Sequence, residues 1–229
     1  MEPLQENKAG YASADQREVL LGLVEHPTIR DGFFLTGGTA LSVFYLSHRV
    51  SDDIDLFSIE SIGLPELDFW IKTRWGSRCS QLRKSPQFLS MLIDGVKVDL
   101  VIDPLSLRNP RKRFHFDNQR SLQIDTLSNI ASNKFTAVVS RTEPKDFVDL
   151  YLILQIFPEY DWEDLYQKSR LKDAIFDDPP TAAFQLESGV AFLRENPSLW
   201  PRMLEKVVWE ELFYFYNQLT QWLYALVRK

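Results

Sequence analysis

Three aspartates and a pair of glycines carry the chemistry open to this sequence. Asp53 and Asp55 stand two apart in the segment DDIDLF. In an extended strand that spacing projects both carboxylates from one face, leaves Ile54 and Leu56 on the other, and sets the two Cα atoms roughly 6.6 Å apart. Paired carboxylates suit a hard cation such as Mg²⁺, although a DxD also occurs in solvated turns. Upstream, Gly37-Gly38-Thr39 lies between an apolar run and a helical pattern. Glycine there lets the backbone approach a ligand, and the first N–H groups of the following helix favour phosphate. A plain strand-to-helix turn needs the same pair. The third acid is Asp99, inside VKVDLVI. A turn accounts for Asp94 and the position before Pro104 for Asp103, but an acid within an apolar strand is costly unless paired or metal-bound. The other reading of Asp99 is an outward-facing strand residue beside Lys97.

Bringing these residues together requires particular elements. The first dozen residues read as a loose tail. Residues 13–25 carry Val19, Leu20, Leu23 and Val24 at helical spacing, and Phe33–Thr36 is a short apolar run ending at the glycines. From Thr39 to His48 the pattern is helical, with Leu41, Phe44, Tyr45 and His48 on one face; DIDLF then alternates like a strand. Phe88–Ile93 and Val96–Ile102 flank Asp94-Gly95, the dipeptide preferred by a two-residue type I′ turn, and predict a hairpin. Packed beside DIDLF, that hairpin places Asp99 next to Asp53 and Asp55.

Beyond Asp117 the pattern turns helical: Leu127–Arg141 and Lys145–Phe157, split by Pro144, then Asp161–Ser169, Pro180–Arg194 and a long aromatic helix over Met203–Arg228. Trp209, Phe213, Tyr216 and Trp222 in that last helix read as core or dimer contacts rather than a base-stacking platform. The predicted fold class is α+β. A mixed sheet flanked by helices occupies residues 1–117, and a C-terminal helical domain residues 118–229. On the first of the helical segments, Lys134 and Arg141 are seven apart and share a face. Two cations there suit a triphosphate, or are equally well solvated or paired with acids. Asp146 and Asp149 follow Pro144, where the helix dipole favours acids.

The stretch GGTALSVFYLSHRVSDDIDLF resembles the signature of the AbiEii/AbiGii-type toxin nucleotidyltransferases, within the DNA polymerase β-like superfamily. The Gly-Gly-Thr-Ala-Leu helix start is followed by an Arg-x-Ser-x-Asp-x-Asp pattern, matched by Arg49, Ser51, Asp53 and Asp55. NKFTAVVSRTEPKDFVDLYLIL resembles the second signature, through Lys134, Arg141, Lys145, Asp146 and Asp149. The resemblance covers residues 33–155 and implies a nucleotidyltransferase-type fold for the first half. It implies that Lys134 helps to hold the nucleotide and that Asp146 belongs to the active site. The resulting expectation is Mg²⁺-dependent transfer of a nucleoside monophosphate from an NTP. Asp53, Asp55 and Asp99 would bind two metal ions about 4 Å apart. Gly37, Gly38 and Thr39, with Lys134, Arg49, Ser51 and Arg141, would hold the nucleotide, and Asp146 would orient or deprotonate the acceptor. The family adds a tRNA acceptor and a cognate antitoxin as expected partners, within a type IV toxin–antitoxin or phage-defence system. Two rival readings remain: a catalytically silent module binding a protein or RNA, and a metal-dependent phosphoester hydrolase, which has no need of a triphosphate seat.

Composition sets the outer limits. The chain has 229 residues, 45% of them hydrophobic and 25% charged, which is ordinary for a globular protein. Its one cysteine, Cys79, excludes an internal disulfide and a cysteine-based zinc site. No apolar run approaches the roughly 20 residues that span a bilayer, and the N-terminus lacks a signal-peptide core. The protein is therefore expected to be soluble and cytoplasmic, with no membrane partner. The net charge of −6 is unevenly spread: Trp70–Arg113 holds ten basic residues against three acids. That block reads either as an RNA-contacting surface or as solvated arginines on loops and strand edges.

Overall fold

The structure, a computed structural model, describes residues 3–226. It divides into two compact units, Met1–Leu127 and Ser128–Lys229.

In the first unit, Ser13 caps α1 (Ala14–Leu23) by accepting from the Gln16 amide, and Val19, Leu20 and Leu23 are buried. Pro27 opens the short α2 (Pro27–Gly32), which leads into β1 (Phe34–Thr36). All three β1 residues are buried, as a central strand demands. The chain turns at Gly37 into α3 (Gly37–Leu41). It then widens into a π-helical turn over Ser42–Leu46 and stops at Ser47, whose φ of 54° is left-handed. The helix expected over Thr39–His48 thus begins two residues earlier and ends before His48. β2 (Ile54–Ser58) follows, with Ile54 and Leu56 fully buried on one face.

The remainder of the unit adds α4 (Leu64–Trp75) and five strands: β3 (Cys79–Ser85), β4 (Phe88–Ile93), β5 (Val96–Ile102), β6 (Lys112–His115) and β7 (Ser121–Ile124). β4 and β5 form the predicted hairpin. Asp94 and Gly95 both take positive φ, 50° and 79°, as a type I′ turn requires. Among the described residues the strands make one seven-stranded mixed sheet in the order β3-β4-β5-β2-β1-β7-β6. β2 runs parallel to β5 and antiparallel to β1, and β1 runs parallel to β7. This is the α+β arrangement predicted, with α4, β3, β6 and β7 added. Because β7 pairs with β1, the first unit continues beyond Asp117, where the sequence suggested a boundary.

The N-terminal segment is not the loose tail expected from its composition. The Asn7 amide donates to the Val43 carbonyl at 2.9 Å, Tyr11 bridges to Ser51, and both Gly10 and Tyr11 are buried.

The second unit is helical: α5 (Leu127–Ser140), α6 (Pro144–Ile156), α7 (Trp162–Arg170), α8 (Pro179–Glu195) and α9 (Trp209–Ala225). Gly189 of α8 leaves room for the Phe147 ring of α6, since a Cβ there would stand 2.7 Å from it. Phe147 in turn packs edge-on against Tyr216 of α9. Trp222 meets Trp162 and Tyr166, which places the aromatic side of α9 in the unit's own core. The long helix predicted from Met203 starts only at Trp209; Arg228 lies outside the described residues.

Candidate active site

β2 and the turn before it set the geometry of the first unit's site. Asp55 sits on β2, and its register partners are Thr36 on β1 and Asp99 on β5. Neighbouring strands lie about 4.8 Å apart, so Asp55 and Asp99 are adjacent along the sheet. Asp53 stands one residue before the strand, and Asp53 and Asp55 are both half-buried.

The glycine pair fits this strand like a mould. Gly37 has φ 67°, and a Cβ there would collide with the Asp55 carboxylate. A Cβ on Gly38 would meet the Arg49 guanidinium and lie 2.8 Å from Ser51 Oγ. The space opened by both glycines is thus filled by side chains of the chain itself, with Asp55 on one and Arg49 and Ser51 on the other. Arg49 is only 2% exposed and donates to the Val50 carbonyl at 2.9 Å.

Thr39 is fully buried. Its hydroxyl bonds the Asp53 carbonyl and lies 3.1 Å from Ser51 Oγ. The side chain therefore fixes the approach to β2. Thr36, at the end of β1, donates to the buried Asp125 at 2.7 Å, and Arg111 donates to the other oxygen of that carboxylate at 2.8 Å.

Asp99 is buried and engaged on both oxygens. Ser90 Oγ donates to Oδ1 at 2.5 Å and Lys97 Nζ to Oδ2 at 2.7 Å. Burial alone would pull the Lys97 ammonium down. The hydrogen bond to Asp99 and the charges of Asp53, Asp99 and Asp55 outweigh it and raise its pKa above the ordinary lysine value. Among the described residues no group of three or more His, Cys, Asp and Glu side chains is drawn to metal-binding distance. In chemistry and placement the residues nonetheless fit a hard divalent cation: the donors are all carboxylate oxygens, Asp55 and Asp99 lie in register, and Asp53 and Asp55 are half-buried rather than sealed from solvent. Ser90 is a neighbour of Asp99 that the sequence reading did not name; Lys97, read there as standing beside Asp99, is its ion-pair partner.

The second unit holds a different cluster. Lys134, 5% exposed on α5, pairs with Asp146 at 2.5 Å and Asp149 at 2.7 Å, both on α6 and both fully buried. Arg141 Nε reaches the second oxygen of Asp146 at 2.8 Å. Burial would push the Asp146 carboxyl up, but Lys134 and Arg141 outweigh it and hold the pKa below the usual carboxylate range, against the opposing charge of Asp149. A carboxylate with both oxygens on cations and a depressed pKa is a poor proton acceptor. Asp146, expected to orient or deprotonate the acceptor, here holds Lys134 and Arg141, and both cations are paired with acids.

Most of the basic block is matched by acids lying outside it in sequence. Lys72 and Lys84 share Asp68, Arg74 pairs with Glu25, Arg108 with Glu60 and Arg111 with Asp125. No helix among the described residues is long and apolar enough to cross a membrane.

The family model described as nucleotidyl transferase AbiEii toxin, type IV TA system, matches residues 18–211. The Aquifex aeolicus protein aq_aa25 is 34% identical over 149 residues, 62% of this chain and 66% of that protein, so the chain spans just under two thirds of the length of that relative. Among solved structures, MenT4, a nucleotidyltransferase toxin of Mycobacterium tuberculosis, matches with TM-score 0.60 and 15% identity over 90% of this chain and 81% of its own. JHP933 of Helicobacter pylori matches with TM-score 0.55 and 15% identity over 98% of this chain and 95% of its own.

Proposed function

Because the chain belongs to the nucleotidyl transferase AbiEii toxin family of type IV toxin–antitoxin systems, we propose that it moves a nucleoside monophosphate from an NTP to an acceptor, with Mg²⁺ as cofactor and tRNA as the acceptor class. The observation that carries this reading is the placement of three carboxylates beside the glycine turn. Asp55 is seated on Gly37, Asp99 stands in register with it on the next strand, and Asp53 lies just before the strand. These three residues would hold two Mg²⁺ ions. When bound, such ions neutralise triphosphate charge and favour in-line displacement at the α-phosphorus. In that reaction an acceptor oxygen bonds to the α-phosphorus, the bond to the bridging oxygen breaks, and pyrophosphate leaves.

The chain's own groups do the positioning. Gly37 and Gly38 keep Asp55, Arg49 and Ser51 packed at the turn, where the triphosphate would be received. Ser90 and Lys97 hold Asp99, and Lys97 would release it to the ligand. To Lys134 and Arg141 we assign the nucleotide contacts that the family implies, with Asp146 and Asp149 keeping Lys134 charged and fixed. An antitoxin is the partner proposed on the same ground. The engagement of Asp99 by Ser90 and Lys97 favours a second reading, a catalytically silent module that binds a protein or RNA.

Incubation with each labelled NTP, Mg²⁺ and total tRNA separates the two. Label transfer that disappears in Asp53→Ala supports the enzyme. Absence of transfer, alongside binding of the same RNA, overturns it in favour of the silent module.

A further inference from the structure

The loop that presents Asp53 is held from an unexpected side. The Ser51 amide donates to the Gly10 carbonyl at 3.0 Å, and Tyr11 pairs with Ser51 as a parallel bridge. Gly10 packs so closely on the π-turn that a Cβ there would stand 2.8 Å from the Ser42 carbonyl. From α1, the side chain of Gln16 reaches the same loop. Its Nε2 donates to the Asp53 carbonyl at 3.2 Å and to Thr39 Oγ1 at 3.3 Å, while its Oε1 accepts from the Ala12 amide at 2.7 Å. Gln16 is 1% exposed. A glutamine buried with both ends of its amide satisfied is a fixed strut.

We propose that residues 7–16 form a positioning strap for the nucleotidyl-transfer site, with Gln16 as its key, that fixes the Ser51–Asp53 backbone and so sets where the Asp53 carboxylate stands. The proposal rests on the reading of Asp53 as a metal-site residue. Gln16 touches neither nucleotide nor metal in this scheme. It acts through the Asp53 carbonyl, the atom to which Thr39 also bonds. Three ties from outside the Arg49–Asp55 motif therefore converge on it: a backbone bond at Ser51, a side-chain bond at Asp53, and the shared Thr39 hydroxyl. Supports behind a metal ligand typically change metal affinity by about 10–100-fold when removed.

The test uses the full chain and Mn²⁺ as probe. Mn²⁺ affinity is read from the resonance of the free ion, and amide hydrogen exchange is followed over residues 51–54. Gln16→Leu keeps the volume and removes the amide. It is expected to weaken Mn²⁺ binding about ten-fold and to speed exchange at Ser51–Ile54, leaving the α4 amides unchanged. Gln16→Asn keeps the amide but falls one methylene short, and it carries the same expectation if the leucine variant does not fold. A folded variant with wild-type Mn²⁺ affinity and wild-type exchange overturns the proposal, as does a lowered urea midpoint with unchanged Mn²⁺ affinity, which would mark Gln16 as merely structural. Asp53→Asn separates the underlying reading. If it binds Mn²⁺ as the wild type does, the metal-site reading fails, and the exchange rates alone decide whether the strap fixes the loop.

Discussion

The two units each gather a cluster of charged groups, and they bury them differently. In the first, Lys97 pairs with the buried Asp99 and feels the charges of Asp53 and Asp55, which are both half-buried. In the second, Lys134 and Arg141 answer Asp146 and Asp149 one for one, with both acids fully buried. The second cluster ties α5 to α6 through acids out of reach of water, with Arg141 at its solvent edge. The first keeps two of its carboxylates where solvent reaches them. The lesson is that perturbed charge alone does not mark a site; access from solvent separates the two clusters.

The contrast can be broken by removing one group at a time. Lys134→Met removes the ammonium shared by two buried acids and should lower stability by about 3–5 kcal/mol, read from urea denaturation; a loss under about 1 kcal/mol would mean the cluster is not the internal tie described. Asp53→Ala should do the reverse, cutting label transfer on the order of 10²–10³-fold while the melting temperature stays near wild type. Gly37→Ala, at positive φ and against the Asp55 carboxylate, should destabilise by roughly 1–3 kcal/mol and reduce transfer as well. Arg141→Ala is expected to be milder, under about 1 kcal/mol, because its side chain is 58% exposed and screened by solvent.

Acid sharpens the same comparison. The pKa of Asp146 is lower folded than unfolded, so its contribution is present above the unfolded carboxylate value of about 4. It is lost as the pH falls through the folded value. Urea midpoints of the wild type should therefore drop steeply on acidification below about pH 4, and those of Asp146→Asn should drop less.

Much of this was legible in the residues. The Asp94-Gly95 turn fixes the β4–β5 register, and that register alone sets Ser90 opposite Asp99 and, by alternation, Lys97 on the same face as Asp99. Both neighbours of Asp99 were thus implied by the hairpin before any coordinates. Other features were not accessible. α4 has Leu64, Leu67, Ile71 and Trp75 at helical spacing, but the exposed Phe69 and half-buried Trp70 blur that stripe, and β3 is an edge strand exposed along nearly its whole length, without the apolar pattern that marks an element. The strap was hidden because its ties to Ser51 are backbone bonds, which any sequence can make. The pairing of the positive block was hidden for a related reason: its counter-charges, such as Glu25, Asp68 and Asp125, fall outside the window in sequence and inside it in space.

The parallel pairing of β1 with β7 also has a consequence in time. Thr36, the residue before the glycine turn, is anchored by Asp125, 89 positions later. At synthesis rates of about 5–20 residues per second, that partner follows roughly 4–18 s after Thr36. Contacts of such range close slowly and late. On the ribosome, the turn beneath Asp55 receives this support only when nearly all of the first unit has been made.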